Sequence, residues 1–227
     1  MKKKVSSKKT NKVPKSKKAE VQAGNLRELI LDESIKIISE SGVLSLSLRE
    51  VARKLGVSHG APYRHFPTKD DLLAGIAAKG FKLFTEYLKE GLKEPDNLEI
   101  SLNGFLRMKS NYLKFAHENP DLFKFIFSAS VPNDPKYEDL HHWSKASFEV
   151  LMRQLTSLRE FGVLKKGNLF ECAMFCSITM QGLALNQINH ISDYLSLKYE
   201  YSGNLLDYLD TYILSGMNAI LEKKSNV

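Results

Sequence analysis

The residues SHGAPYRHF, at positions 58–66, combine side chains that suit contact with DNA. At the start of a helix, His59 and its small neighbours would approach base edges in the major groove. The side chains of Tyr63 and His65 can reach phosphate oxygens. Lys69 lies at the N-terminus of the next predicted helix, where the free backbone amides also favour a phosphate. The candidate contacts in this part of the chain are Ser58, His59, Gly60, Ala61, Tyr63, Arg64, His65 and Lys69.

Short predicted helices would position these residues. Apolar residues recur at helical spacing over 25–42, and Gly42 is suited to a left-handed helix end. Ser47 and Glu50 have the spacing of a capping box at the start of a second helix. Two short helices joined by a turn containing a glycine, here Gly56, are typical of a helix-turn-helix. An ordinary three-helix corner without any ligand would have the same periodicity.

The start of the third helix has two alternative descriptions. With Ser58 as N-cap, Pro62 is the fourth helical residue and removes one backbone hydrogen bond; with the cap at Gly60, it lies in a single-turn helix. Because Pro67 disfavours helical geometry at the residue before it, the helix ends near His65. The first description predicts about two turns, on the order of 10 Å.

One segment of the chain resembles the DNA-binding signature of the TetR family of one-component transcriptional regulators: SLREVARKLGVSHGAPYRHFPTKDDLLAGI. The resemblance extends from Leu29 to Phe84, about a quarter of the 227 residues. It implies base contacts near the start of the third helix and phosphate contacts around it. The DNA-contact positions that it implies are Ser47, Arg49, His59, Gly60, Ala61, Tyr63, His65 and Lys69. Arg64 lies beside them, either as a further contact to the backbone or a base, or as a solvated or ion-paired residue.

The net charge of +7 is concentrated in residues 1–24. This tail holds nine Lys and one Glu, or +8, which leaves −1 for residues 25–227. Such a run is most often solvated and disordered; the alternatives are an arm that binds DNA phosphates and, third, an anionic membrane surface. Neither a signal-peptide stretch nor an apolar run of membrane-spanning length is evident, so the sequence predicts a cytoplasmic protein.

The fold class predicted for the whole chain is all-α. We expect further helices at 69–93, 98–117, 120–128, 136–161, 168–190 and 204–222. The predicted architecture is a three-helix helix-turn-helix domain at 25–80, joined by a long helix to a larger helical domain at 81–227. The TetR resemblance implies that this second domain binds an effector and dimerises.

Two further segments relate to that second domain. The segment NYLKFAHENPDLFKFIFS resembles part of the ligand domain of a TetR subgroup that is named for a Trp-His-Gly motif. At the place where that motif is expected, this chain has TMQGLAL. The resemblance implies dimerisation through the last two long helices, in which Gly182 and Gly216 permit close approach and Ile213 and Met217 lie on an apolar stripe. The alternative is that these helices form the core of a monomer.

The resemblance also implies an effector pocket in the middle of the second domain. Its candidate lining residues are Phe105, Met108, Tyr112, Phe125, Trp143, Phe148, Met152, Phe175 and Gln181. Each of them also fits an ordinary core position, because aromatic and Met residues at helical spacing usually pack in cores. The mostly apolar set favours a lipophilic effector over a sugar or a nucleotide.

Residues that could support catalysis or metal binding give weaker signals. The pairs His117–Glu118 and His141–His142 are adjacent on helices, so their side chains diverge by about 100° and cannot grip one metal or substrate. Cys172 and Cys176 share a helix face without further ligands, which favours small core residues over a disulfide or a zinc site. We therefore predict no enzyme, metal or cofactor.

Three functions remain as hypotheses from the sequence. The first is a homodimeric repressor that binds a palindromic operator in double-stranded DNA and is released by a small lipophilic effector. The second is a DNA-binding regulator without a small-molecule effector, in which the Lys tail adds nonspecific affinity. The third is an all-α enzyme.

Overall fold

The computed structural model describes residues 26–191 and 205–223, so the basic tail predicted at 1–24 lies outside the described residues. The described residues form eight α-helices and contain no strand, which confirms the all-α prediction. The helices are α1 Leu26–Ser41, α2 Leu48–Leu55, α3 Lys69–Lys89, α4 Leu98–Glu118, α5 Pro120–Ile126, α6 Glu138–Glu160, α7 Leu169–Ile188 and α8 Leu205–Lys223. The described residues also form two short 3-10 turns, at Val43–Ser45 and Pro62–Arg64.

The first two helices form as their local sequence predicts. Helix α1 buries Ile30 and Ile37 on one face and ends before Gly42. Gly42 has a positive φ of 77°, which suits glycine, but its ψ of 165° is extended, so the left-handed helix end predicted there does not form. The Ser47 hydroxyl caps α2 by accepting a hydrogen bond from the Glu50 amide at 3.2 Å. Gly56 ends α2 in the left-handed conformation, which sets the turn of the helix-turn-helix.

The third helix is shorter than predicted. Segment 58–66 contains a tight turn followed by a single 3-10 turn, Pro62–Arg64, with Ala61 in the N-cap position rather than Ser58 or Gly60. The Ala61 amide donates to the Ser58 carbonyl at 3.0 Å, a three-residue step that already winds the chain more tightly than an α-helix. Pro62 is then the first residue of the 3-10 turn, where its fixed φ fits and its missing amide breaks no bond.

Helix α3 connects the amino-terminal helices to the rest of the molecule. It begins with a complete capping box between Thr68 and Asp71 and ends earlier than predicted, because Glu90 leaves helical geometry and Gly91 adopts a φ of 68°. Gly80 allows α5 to pack closely on α3, since a Cβ there would lie 2.6 Å from Ile126 Cγ2. One helix thus contacts both predicted domains.

The remaining helices enclose an extended apolar core. The breaks predicted near Pro95, Pro120, Pro132 and Gly162 all separate helices, and each predicted helix is present with ends shifted by a few residues. Helix α6 packs along α3, while α7 packs against α4, α6 and α8. Among the described residues, no helix combines the length and apolarity required to cross a bilayer.

Candidate DNA interface and effector cavity

The candidate DNA contacts lie on the helix-turn-helix and at the start of α3, and nearly all of them are exposed. Arg49, Arg64 and Lys69 are exposed and have no acidic partner among the described residues, whereas two other cations of α2 are neutralised. Arg53 pairs with Glu50 and Lys54 with Glu40, each at 2.5 Å. Because an unpaired cation binds phosphate without first breaking an ion pair, this surface of the helix-turn-helix is suited to a polyanion. The neutral candidates Ser47, Ser58, His59, Gly60, Tyr63 and His65 are also exposed, and Ala61 is half-buried.

Within segment 58–66, the small residues have no packing role that would explain them. A Cβ added to Gly60 would meet no atom within 4 Å, and the backbone there does not have a positive φ. The absence of a side chain at Gly60 is therefore important only for a molecule that binds to the outer surface of this segment. Ser47 keeps its hydroxyl proton free for a phosphate, because capping uses only an oxygen lone pair.

Phe66 fixes this segment to the domain beneath it. Its side chain is only 2% exposed and lies against Gly75, where an added Cβ would approach Phe66 Cε1 to 2.8 Å. The guanidinium carbon of Arg27 lies 5.3 Å from the centre of the Phe66 ring, in a cation–π contact. No local sequence pattern singles out Arg27 or Gly75, since their roles depend on tertiary contacts.

Asp71 links the start of α3 to the carboxy-terminal helices. Its carboxylate accepts hydrogen bonds from the Thr68 amide at 2.9 Å and the Thr68 hydroxyl at 2.7 Å. The Tyr137 hydroxyl, just before α6, donates to it at 3.2 Å, and Lys136 Nζ lies 3.8 Å away. The hydrogen bonds from Thr68, with smaller contributions from Tyr137 and Lys136, lower the pKa of Asp71. The helix start that carries Lys69 is thereby attached to the segment preceding α6.

We expect Asp71→Ala to destabilise the fold by about 1 kcal/mol, because the variant loses half of a capping box. Asp70→Ala is the matched control: it also removes a carboxylate from the first turn of α3, but Asp70 has no partner among the described residues. Thermal unfolding of both variants measures the difference. Since the Asp71 pKa is lowered, this difference exists above the ordinary carboxyl pKa and disappears as the pH falls through the lowered value. Equal unfolding temperatures for the two variants at neutral pH would contradict the proposed role of the link.

A cavity of about 140 Å³ lies between α3, α4, α6 and α7. Three of the predicted pocket residues line it, namely Met108, Tyr112 and Phe148. Its other lining residues are Phe81, Phe84, Leu88, Lys109, Phe127, Ser144, Ser147, Leu151, Cys176, Ser177 and Met180. A space of roughly 150 Å³ takes a molecule of the size of benzene, so this cavity has room for a small organic ligand.

The other six predicted pocket residues lie away from the cavity wall. Phe105 and Phe125 are buried in the core, and Phe175 packs against Gly216, where a Cβ would approach its ring to 2.7 Å. Trp143 has the Lys82 ammonium 5.6 Å from its ring centre. Met152 and Gln181 are half-buried on α6 and α7.

Two ionisable groups on the cavity wall are strongly affected by burial. The Tyr112 hydroxyl is buried and has no hydrogen-bond partner in the described part of the chain, and burial raises its pKa far above the ordinary value. Burial also raises the pKa of the Cys176 thiol to about 12, so it is neutral at pH 7. Both cysteines are buried free thiols. Within the described ranges, no group of three His, Cys, Asp or Glu side chains is arranged to hold a metal.

Comparison with known proteins places the helix-turn-helix in a family. Residues 30–76 match the family described as bacterial regulatory proteins, tetR family. Over 61 residues the chain is 41% identical to the HTH-type transcriptional regulator AcrR of Shigella flexneri, a match that covers 27% of this chain and 28% of that protein. The helix-turn-helix of this chain belongs to the tetR family. The family match ends within α3, so it includes the whole helix-turn-helix.

The solved structures extend the similarity of fold to the second domain. A protein of unknown function from Rhodococcus sp. RHA1 aligns with a TM-score of 0.64 and 24% identity over 87% of this chain and 96% of that one. The TetR family regulator PfmR of Thermus thermophilus aligns with a TM-score of 0.56 and 19% identity over 74% and 95% of the two chains. The TetR-like arrangement of both domains is therefore shown, while membership of the Trp-His-Gly subgroup stays a prediction.

Proposed function

We propose that this protein is a TetR-family, sequence-specific DNA-binding transcriptional regulator that acts in the cytoplasm. The observation that supports this most is the contrast between cations. Among the described residues, Arg49, Arg64 and Lys69 around segment 58–66 have no acidic partner, whereas Arg53 and Lys54 of the same region are paired with carboxylates. Base contacts would come from His59 and its neighbours, and phosphate contacts from Tyr63, His65, Lys69 and Ser47.

We also propose a homodimer formed through α7 and α8. Phe170, Met174 and Ile178 recur every four residues on α7 and are 55%, 38% and 63% exposed. Tyr212 on α8 is 64% exposed. Such a row of exposed apolar side chains is typical of a protein interface, and a second copy offers the same surface under two-fold symmetry.

The stripe on α8 that the sequence suggested for dimerisation has another role. Ile213 and Met217 are buried in the core of the protomer, and Gly216 accommodates Phe175 of the same chain. Gly182, in contrast, is exposed and has no neighbour near its Cβ position. The proposed dimer surface therefore consists of the exposed α7 residues together with Gly182 and Tyr212.

In the proposed mechanism the protein is a repressor released by a small, mostly apolar effector. Two copies of segment 58–66 would enter successive major grooves about 34–36 Å apart on a palindromic operator. An effector in the cavity between α3, α4, α6 and α7 would favour a dimer in which this spacing is wrong. The effector can shift the equilibrium only by the difference between its binding free energies for the two states. A coupling free energy of a few kcal/mol is sufficient for release from DNA.

Selection of bound sequences from random double-stranded DNA by the purified protein tests the proposed function. We expect a palindromic consensus whose half-sites are separated by about one helical turn. A regulator without an effector would yield the same consensus but would not change its DNA affinity with any ligand. Failure to enrich any sequence would contradict the proposal and favour the enzyme hypothesis.

The basic tail gives a separate prediction. We expect removal of residues 1–24, which carry +8, to weaken DNA binding at low salt and to reduce the slope of log affinity against log salt. The preference for the selected sequence over random DNA is expected to stay the same, because phosphate contacts carry no sequence information. Fluorescence anisotropy at several salt concentrations measures both quantities. An unchanged slope would show that the tail does not contact the DNA.

A further inference from the structure

We propose that the cavity binds a small uncharged molecule, mostly apolar, that brings a hydrogen-bond acceptor such as a carbonyl oxygen to the Tyr112 hydroxyl. This proposal deepens the effector part of the proposed function and depends on it for its regulatory consequence. The first step in the argument is the wall itself. Most of its residues are aromatic or aliphatic, such as Phe81, Phe84 and Phe148, so the body of a bound molecule is apolar.

The second step is the Tyr112 hydroxyl. Tyr112 is 8% exposed and lines the cavity, yet its hydroxyl has no hydrogen-bond partner among the described residues. Burial, and to a smaller extent the nearby Cys176 thiol, raises the pKa of this hydroxyl, so it carries its proton at pH 7 and can donate it. A buried hydroxyl without a partner is unfavourable, and a ligand that brings an acceptor removes this penalty.

The ring of Tyr112 is held in place before a ligand arrives. Its centre lies 5.1 Å from that of Phe84 and 5.7 Å from that of Phe123, both in edge-to-face contact. Phe127 stacks on it with 6.4 Å between the ring centres. Because these contacts fix the donor in advance, little conformational entropy is lost at Tyr112 when a ligand binds.

The serines of the wall place a weaker demand on the ligand. The Ser144 hydroxyl donates to the His141 carbonyl at 3.2 Å, and the Ser147 hydroxyl donates to the Ser144 carbonyl at 2.7 Å, so both protons are used within α6. The Ser177 hydroxyl on α7 has no hydrogen bond to another described residue. Ser177 is only half-buried, however, so water can bind to its hydroxyl in the free protein. Of the two available hydroxyl donors, the one that is removed from water is Tyr112.

The charge of the wall favours an uncharged ligand. No acidic residue is present among the described residues of the wall, and its basic residue, Lys109, already takes part in an interaction of its own. Burial raises the pKa of the Cys176 thiol to about 12, so the thiol is neutral at pH 7. A ligand ion would therefore enter an apolar environment in which no free counter-charge awaits it, and that transfer is unfavourable.

The size of the cavity limits the rest of the ligand. Its volume of about 140 Å³ is close to that of a cavity that takes benzene, so a molecule with a single ring fits. Cyclohexanone and methylenecyclohexane are suitable probes, because they have the same ring and differ only in the exchange of the carbonyl oxygen for a CH₂ group. Cyclohexylammonium and cyclohexanecarboxylate add a positive and a negative charge to that ring.

The test titrates each probe into the full-length protein and follows the methyl NMR signals of Met108 and Met180, which line the cavity from α4 and α7. We expect cyclohexanone to bind about tenfold or more tightly than either ion, because only the ions must be buried without a free counter-charge. Binding of either ion as tightly as cyclohexanone would overturn the proposal. So would the absence of any shift of these two signals with cyclohexanone.

The Tyr112→Phe variant identifies the donor. We expect it to weaken cyclohexanone by about three- to tenfold and to leave methylenecyclohexane unchanged, because only the ketone loses a hydrogen bond. Tyr87→Phe removes a tyrosine hydroxyl outside the cavity, is the matched control and is expected to change the affinity of neither probe. Equal changes for the two probes in Tyr112→Phe, or no change for either, would overturn the assignment.

The Ser177→Ala variant separates the second available hydroxyl from the first. We expect it to change the affinity for cyclohexanone by less than about twofold, because water competes for this half-buried group. A selective loss of cyclohexanone in Ser177→Ala instead of in Tyr112→Phe would overturn the role of Tyr112.

The variants also have a folding control. Tyr112→Phe breaks no hydrogen bond between described residues, so its thermal unfolding temperature is expected not to fall. If it does not fold, the ranking of cyclohexanone against the two ions on the wild-type protein decides alone. DNA selection is independent of these titrations, so their failure and failure of the proposed function are distinguishable.

Discussion

Ile178→Asp is expected to convert the dimer into a monomer and to lower affinity for the palindromic operator by roughly 10²- to 10⁴-fold. Ile178 is 63% exposed at the end of the apolar row on α7, so a charge there does not disturb the core of the protomer. In a two-fold dimer each substitution occurs twice, and both carboxylates would be desolvated in the interface. A monomer binds a single half-site and therefore loses the additional affinity that comes from binding two linked half-sites at once.

The control for this prediction is Leu98→Asp. Leu98 is also an exposed apolar residue, at 44%, but it is the first residue of α4, where a carboxylate suits the helix start. Sedimentation velocity gives the oligomeric state and fluorescence anisotropy gives the DNA affinity of both variants. If Ile178→Asp sediments as the wild-type dimer does, the exposed row on α7 is not the dimer interface. An unchanged thermal unfolding temperature of the protomer excludes misfolding as the cause of a loss.

The local parts of the helix-turn-helix could be predicted because each is determined by a few neighbouring residues. The Ser47 cap, the left-handed Gly56 and the Thr68–Asp71 capping box all form between residues at most four apart. The length of the third helix, within segment 58–66, could not be predicted equally well. It depends on whether the Ala61 amide bonds three or four residues back, and on the burial of Phe66 between α1 and α3.

The cavity could be predicted only in part, because periodicity identifies an inward face but not its neighbours. Met108, Tyr112 and Phe105 all lie on the buried face of α4, yet only the first two reach the cavity. Lys109 was not a candidate, since charged residues seldom face an apolar core. The same limit applies to α8, where the stripe with Ile213 and Met217 was recognised but packs on α7 of the same chain.

His59→Ala is expected to reduce operator affinity by about 1–3 kcal/mol at each half-site and to blur discrimination at one base position. The reason is geometric. Segment 58–66 offers few side chains that are long enough to read a base edge, because its other early residues are Ser58, Gly60 and the half-buried Ala61. Removal of the imidazole therefore removes much of the direct reading, and sequence-dependent DNA shape supplies what specificity remains.

Two comparison variants separate base reading from phosphate contact. We expect Lys69→Ala to weaken binding to the operator and to random DNA alike, and to reduce the salt slope by about 1 for each half-site. Tyr63→Phe is expected to weaken both kinds of DNA alike without changing the slope, because it removes a neutral donor. Anisotropy with the selected operator, with every single-base variant of one half-site and with random DNA measures all three effects. Uniform losses across these sequences for His59→Ala as well would show that His59 contacts the backbone, and that specificity rests on Arg49, Arg64 or DNA shape.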